Sequence, residues 1–202
     1  MKKFDRLPLQ QRKEEIQAAA MQLFREKGFA ATTMENIVQA VTLSKGGVYR
    51  IYSSTAAILA DLMLCGMRLR NAYYEKRTRH LLTRGLPLTL EALVDMIADS
   101  LVLYPEFTSV YVEFLWEKQR NQELEAIYQQ ICAVSVEETQ ALMLRYGANE
   151  LLPGENTLQR LTDLMNAAVL SLHVLGLQAE FEKRKQLLCD TIIQILQSRD
   201  QE

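Results

Sequence analysis

Residues 32–52 read TTMENIVQAVTLSKGGVYRIY, two short helical patterns separated by a tight turn. Thr32 and Thr33 each offer an N-capping hydroxyl, and Glu35 follows Thr32 at capping-box spacing. Ile37, Val38 and Val41 then recur at helical intervals, so the first helix has one face to bury. Thr42 and Leu43 make the turn, and Ser44 caps the second helix. From Lys45 to Tyr52 only Val48 and Ile51 form an obvious inward pair, which leaves the remaining positions free to face outward.

Gly46 and Gly47 set the reading of that second helix. A helix interior loses about 0.8–1.0 kcal/mol for each glycine relative to alanine, a heavy load for barely two turns. What two glycines offer in return is close backbone approach to another surface, here the floor of a DNA major groove. Lys45 can donate to guanine O6 or N7 or to a phosphate, Arg50 adds a second cation, and Tyr49 and Tyr52 bring flat apolar bodies with hydroxyls that reach a backbone oxygen. Thr33 and Ser44, at the two helix starts, complete the expected DNA-contacting set. The pattern is that of a helix-turn-helix DNA reader.

Upstream, residues 9–27 carry Ile16, Ala19, Ala20, Leu23 and Phe24 on one helical face, and Gly28 ends the run. Three helices in about fifty residues close a core too small to stand alone, so the long helix expected from about Thr55 to Leu82 has to support it. The chain here resembles the tetracycline-repressor (TetR) family of bacterial transcriptional regulators. The resemblance rests on Ile16 to Ala20, Leu23-Phe24, Lys27-Gly28-Phe29, Thr32-Thr33, Ile37-Val38, Leu43-Ser44, Gly46, Val48-Tyr49, Tyr52 and Ile58-Leu59, in the family's order and spacing. It implies an all-α protein with a DNA-binding domain at residues 9–55 and a helical ligand-binding and dimerisation domain at residues 56–202, about nine helices in all. Three positions depart from the family pattern: Thr42 stands where the turn usually has glycine, Ile51 where a histidine commonly meets phosphate, and Thr55 where a lysine commonly faces the DNA backbone.

Charge is divided unevenly. Residues 1–52 hold nine Lys/Arg against five Asp/Glu, net +4, leaving 14 against 20, net −6, for residues 53–202. A cationic end on an anionic body is expected when only that end meets a polyanion, and the arm with Lys2, Lys3, Arg6, Arg12 and Lys13 adds to it. The N-terminus is polar and unlike a secretion signal. The apolar stretch around Leu164 to Leu177 is broken by Asn166, Ser171 and His173, so it reads as a buried helix rather than a membrane span. Cys65, Cys132 and Cys189 are odd in number and widely spaced, which argues against a disulfide framework or a zinc motif. A cytoplasmic protein without cofactor is expected.

Beyond the long helix, Leu88 to Tyr104 reads as a helix whose Glu91, Asp95 and Asp99 form a solvated acidic stripe. Pro105 starts another, rich in aromatics, and a further helix spans Asn121 to Tyr146. The family places an inducer pocket among these middle helices, and Met63, Met67, Tyr104, Tyr111, Phe114, Trp116, Tyr128 and Met165 are the candidates to line one for an apolar or amphipathic effector. Glu113 or Glu117, if turned inward, would suit a lipophilic cation. The last two helices, about Thr157 to Leu177 and Phe181 to Ser198, pack as an antiparallel pair. The resemblance implies a four-helix dimer interface from two such pairs, for which Leu161, Leu164, Ala168, Leu172, Leu188, Ile192 and Ile195 are the candidates. A repressor that binds a near-palindrome as a homodimer and is released by a small molecule follows. The alternatives are a thiol-based redox regulator reading through one of the cysteines and, more remotely, a helical enzyme. Two distant histidines, no phosphate loop and no nucleophile beside a base leave the enzyme reading without residues.

Overall fold

The structure is a computed structural model that describes residues 8–151 and 153–198. Among these residues it is all-α, with nine α-helices: α1 (Leu9–Lys27), α2 (Met34–Ala40), α3 (Lys45–Ile51), α4 (Thr55–Thr83), α5 (Leu90–Asp99), α6 (Pro105–Glu117), α7 (Gln122–Arg145), α8 (Glu155–Val174) and α9 (Phe181–Gln197). The N-terminal arm residues Lys2, Lys3 and Arg6 lie outside the described residues.

Local chemistry fixes most boundaries. Gly28 ends α1 at φ 83°, a backbone region that favours glycine, and its N–H caps the Phe24 carbonyl at 3.0 Å. The cap of α2 is Thr33, whose hydroxyl accepts from the Asn36 N–H while the Asn36 side chain accepts from the Thr33 N–H. The capping box therefore runs from Thr33 to Asn36, one residue later than the Thr32–Glu35 pairing expected. Thr32 is instead buried and donates its hydroxyl to the Gly28 carbonyl at 2.8 Å. Ser44 caps α3 as expected, its Oγ accepting from the Gly47 N–H at 3.2 Å. Thr42 needs no left-handed backbone, because the described residues with positive φ are all glycines. Its N–H donates to Glu15 Oε1 at 2.5 Å. The helix expected over Leu88 to Tyr104 is shorter at both ends: Thr89 caps it, and beyond Asp99 the chain turns before Pro105 starts α6.

The chain packs as two compact units. The first comprises the described residues up to Cys65 together with Ser109–Gln130. Its core gathers Ile16, Ala20 and Phe24 of α1, Phe29, Ile37 of α2, Val48 of α3, Ile58, Leu59 and Leu62 of α4, and Phe114 of α6. The α4 residues thus provide the support that three short helices need. Ala19 and Leu23 are only half-buried, and with Ala18, Gln22, Glu15 and Ala40 they line an open groove of about 330 Å³.

The second unit comprises Gly66–Thr108 and the described residues from Ile131 onward. Tyr74, Leu93, Met96, Met143 and Ala148 form a buried cluster there, flanked by Tyr73, Leu88, Ile97, Leu142 and Leu151. The acidic stripe on α5 is not simply solvated. Asp95 and Asp99 both grip Lys185 of α9, at 2.6 and 2.5 Å, and Tyr73 donates to Asp99 at 3.0 Å. Burial lowers the pKa of Lys185, but the hydrogen bonds and charges of the two aspartates outweigh it and hold the ammonium above the ordinary lysine value.

The helix α8 is not buried as its apolar composition suggests. Val174 is 67% exposed and Leu175 66%, and on α9 Leu187 is 72% exposed. No single helix among the described residues is long and apolar enough to cross a membrane.

Candidate nucleic-acid interface

The second helix of the motif, α3, is short because it is bounded by Ser44 at one end and by the extended Tyr52 at the other. Val48 is its one fully buried residue, and Ile51 is half-buried. Lys45, Gly46, Tyr49 and Arg50 are exposed. Neither Gly46 nor Gly47 has a positive φ, so neither is required by the backbone. A Cβ at Gly46 would meet nothing within 4 Å. At Gly47 it would sit 3.3 Å from Ser44 Oγ, crowding the cap. Packing within the chain therefore accounts for Gly47 and leaves Gly46 unexplained by anything the protein itself contributes.

The cations of this surface are loosely held. Lys45 pairs with Glu35 of α2 at 2.7 Å and lies 5.8 Å from the centre of the Tyr49 ring. The hydrogen bond to Glu35, then its charge, raise the Lys45 pKa, so the side chain stays cationic. Both partners are exposed, and such a pair contributes little that a phosphate or base could not replace. Thr33, at the start of α2, is exposed as well.

Tyr52 is the exception to the outward set. It is 5% exposed, and its hydroxyl donates to Asp61 Oδ2 at 2.5 Å while accepting from Gln17 Nε2 at 3.0 Å. Lys13 pairs with the same carboxylate at 3.0 Å. Burial, then the hydrogen bond and charge of Asp61, push the phenol well above its usual range, so it stays a donor. Tyr52 ties α1, the end of α3 and α4 together and is not one of the outward-facing residues expected. Its spacing from Val48 and its place after the last helical residue carried that signal in the sequence.

A second tie was not legible. Glu113 of α6 accepts from the Phe29 N–H at 2.7 Å, just beyond Gly28. It caps the link between α1 and α2 and is not turned toward a cationic ligand.

The pocket candidates divide between the two units. In the first, the rings of Tyr111, Phe114 and Tyr128 pack in tilted contact, with successive centroids 6.4 and 6.1 Å apart, and Met63 is buried. Trp116 is 56% exposed, with the Arg120 guanidinium 5.3 Å from its ring, and so faces away from any interior. In the second, Met67 is buried, Met165 is half-buried, and the Tyr104 hydroxyl donates to the Leu69 carbonyl at 3.4 Å. Of the dimer candidates, Leu172 and Ile192 are buried within the chain itself, whereas Leu161, Leu164, Ala168, Leu188 and Ile195 are half-buried. The exposed apolar positions are Leu170, Val174, Leu175 and Leu187, a rotation of the expected faces.

A capped helix-turn-helix with an exposed, cation-bearing second helix, joined to an all-helical remainder, defines the class of a DNA-reading regulatory protein. Residues 16–62, about a quarter of the chain, match the model of bacterial regulatory proteins of the tetR family. It is 28% identical over 113 residues to an uncharacterised HTH-type transcriptional regulator, YfiR, of Bacillus subtilis; the match covers 55% of this chain and 54% of the relative, so it spans about half of each. Its fold is similar to that of Salmonella enterica GusR, with a TM-score of 0.65, 20% identity and coverage of 96% of this chain and 100% of the other. It is likewise similar to NalD, the secondary repressor of the MexAB-OprM multidrug efflux pump in Pseudomonas aeruginosa, with a TM-score of 0.62, 19% identity and coverage of 92% and 96%.

Proposed function

We propose that the chain is a cytoplasmic, ligand-responsive transcriptional repressor that binds a near-palindromic operator as a homodimer. The observation that carries this reading is Gly46, a helix-weakening residue on an exposed turn where a Cβ would meet empty space. Its cost is offset only if an external surface comes close. Residues 9–55 act as the reader, with Thr33, Ser44, Lys45, Gly46, Gly47, Tyr49 and Arg50 at the DNA, and Tyr52 as their anchor. The rest of the chain binds the effector and pairs the subunits. Two-fold pairing sets the reading helices about one DNA turn apart or a multiple of it, and an effector that binds another spacing better shifts the population away from DNA. The exposed apolar residues of α8 and α9 support the pairing, and the repressor named among the similar folds supports the direction of control.

Gly46→Ala separates this reading from a purely structural one. The variant is expected to gain about 0.8–1.0 kcal/mol of stability, the helix-propensity difference, while losing affinity for the operator fragment. A gain in melting temperature with undiminished DNA affinity would remove α3 from the groove. Lys45→Ala is expected to weaken binding about tenfold or more with relaxed sequence preference if the lysine meets a base, or to reduce the salt slope by about one charge if it meets phosphate. Fluorescence anisotropy across a salt series distinguishes the two, and no change in either quantity would exclude Lys45.

The thiol-sensor alternative draws no support from Cys189. Burial pushes its thiol above the ordinary value, opposite to the depressed pKa that reactivity requires.

A further inference from the structure

The helices α4 and α7 meet in the second unit through four polar residues where an apolar seam is the default. Arg70 Nη2 donates to Ser135 Oγ at 2.8 Å, and Asn71 Nδ2 donates to Glu138 Oε2. Each of the two α4 residues leaves one buried atom unmatched: Arg70 Nε, a donor, and Asn71 Oδ1, an acceptor. No carboxylate of the described residues lies within ion-pair distance of the Arg70 guanidinium, so a half-buried positive charge rests on one neutral hydroxyl. Leaving a buried polar atom unmatched is costly, and more so on a charged group. The Asn71 amide cannot simply be turned over, because its N–H group is held by the Glu138 carboxylate. Along the same helix, Met67 and Tyr74, three residues before and four after Arg70, are buried, the Tyr74 ring in the apolar cluster with its hydroxyl donating to Ser100 Oγ at 3.0 Å.

We propose that Arg70 and Asn71 are the polar end of the effector site, and that the effector is a hydroxycarboxylate with an apolar body. The carboxylate takes the free Nε–H and supplies the missing counter-charge, in the forked geometry that a guanidinium favours. The hydroxyl donates to Asn71 Oδ1. This deepens the ligand-control reading and rests on it for its biological meaning, although the anion site stands or falls by itself. The eight residues nominated from the sequence as pocket lining are uncharged, and the charged residues considered beside them, Glu113 and Glu117, are acids, so an arginine on α4 changes the class of ligand expected.

The test uses the full chain and titrates 3-hydroxydecanoate and 3-hydroxybenzoate, with decanoate, benzoate and the methyl esters of both hydroxy acids as comparators and decyltrimethylammonium as the cation. At least one hydroxy acid is expected to bind the wild type at least tenfold more tightly than its ester, and Arg70→Gln to lose that preference while binding the ester unchanged. The corresponding acid without the hydroxyl is expected to bind more weakly than the hydroxy acid. Without ligand, Arg70→Leu is expected to melt no lower than the wild type, since it removes an unmatched buried donor; a merely structural arginine would give a lower melting temperature. Acid and ester binding alike, a cation binding best, Arg70→Gln retaining the acid, or no member of the series binding would each overturn the proposal. If a hydroxy acid binds through Arg70 yet leaves operator affinity unchanged, the anion site stands and ligand control of DNA binding fails. If no hydroxy acid binds through Arg70 while the cation releases DNA equally from wild type and Arg70→Gln, ligand control of DNA binding stands and the anion site fails.

Discussion

Gly28→Val is expected to destabilise the DNA-reading head by about 3–5 kcal/mol and to abolish operator binding. Two separable causes add. At φ 83° and ψ 160° the backbone lies in a region that side chains rarely adopt, which costs of order 1–3 kcal/mol. A Cβ there would also stand 2.9 Å from Glu113 Oε1, the atom that accepts from the Phe29 N–H at 2.7 Å. Moving that carboxylate aside sacrifices a charge-assisted hydrogen bond of about 1.5–3 kcal/mol. A double-mutant cycle with Glu113→Ala isolates the second cause, because truncating the glutamate removes the collision and leaves the backbone strain in place. Urea denaturation of the four proteins supplies the numbers. Gly28→Val unfolding at the wild-type midpoint would contradict the account, and purely additive effects would remove Glu113 from it. Since residues 109–117 of α6, which include Glu113, belong to the same packed unit as α1 to α3, this hydrogen bond ties that part of α6 to the link between α1 and α2.

The contrast between Gly28 and Glu113 describes how far the sequence could be read. Gly28 follows a nineteen-residue amphipathic pattern, and a stop signal after such a pattern is local information. So are Ser44 before Lys45 and the weakly apolar face of α3, which is why the reading head and its outward surface were legible. The shift of the α2 cap from Thr32 to Thr33 turned on which of two adjacent hydroxyls has an alternative partner, and Thr32 finds one in the Gly28 carbonyl. Glu113 lies 84 residues from Phe29, and no periodicity links an acid on one helix to a free N–H after another. The same limit hid Lys185, whose two aspartates sit on α5, and Arg70, whose partner Ser135 lies 65 residues away. On the terminal helices the apolar periodicity was correct but too broad to choose a face. Both helices carry more apolar positions than one side can use, and which of them turn inward is decided by α5 and its neighbours.

That surplus leads to the variant with the largest expected effect on assembly. Val174 and Leu187 are the most exposed apolar residues of α8 and α9, at 67% and 72%, and replacing both with glutamate is expected to leave the protomer folded while breaking the dimer. Fully burying a valine or leucine is worth about 1.5–3 kcal/mol, and a two-fold axis presents each position twice. Even if only half of that area is covered, the loss of about 3–6 kcal/mol raises the dimer dissociation constant by about a hundredfold to ten-thousandfold, before the repulsion of four new carboxylates is added. Protomer stability should change little, since surface substitutions usually fall within about 0.5 kcal/mol. Leu172→Ala and Ile192→Ala provide the opposite case. Both side chains are buried within the chain, so these variants should lower the melting temperature by the cavity cost of about 2–5 kcal/mol without first changing the mass in solution. Sedimentation velocity and thermal melting of the three variants separate the two sets of residues. A Val174→Glu/Leu187→Glu protein that still sediments as a dimer would place the subunit contact elsewhere, whereas a monomer with weakened operator affinity ties the pairing of reading heads to this face of α8 and α9.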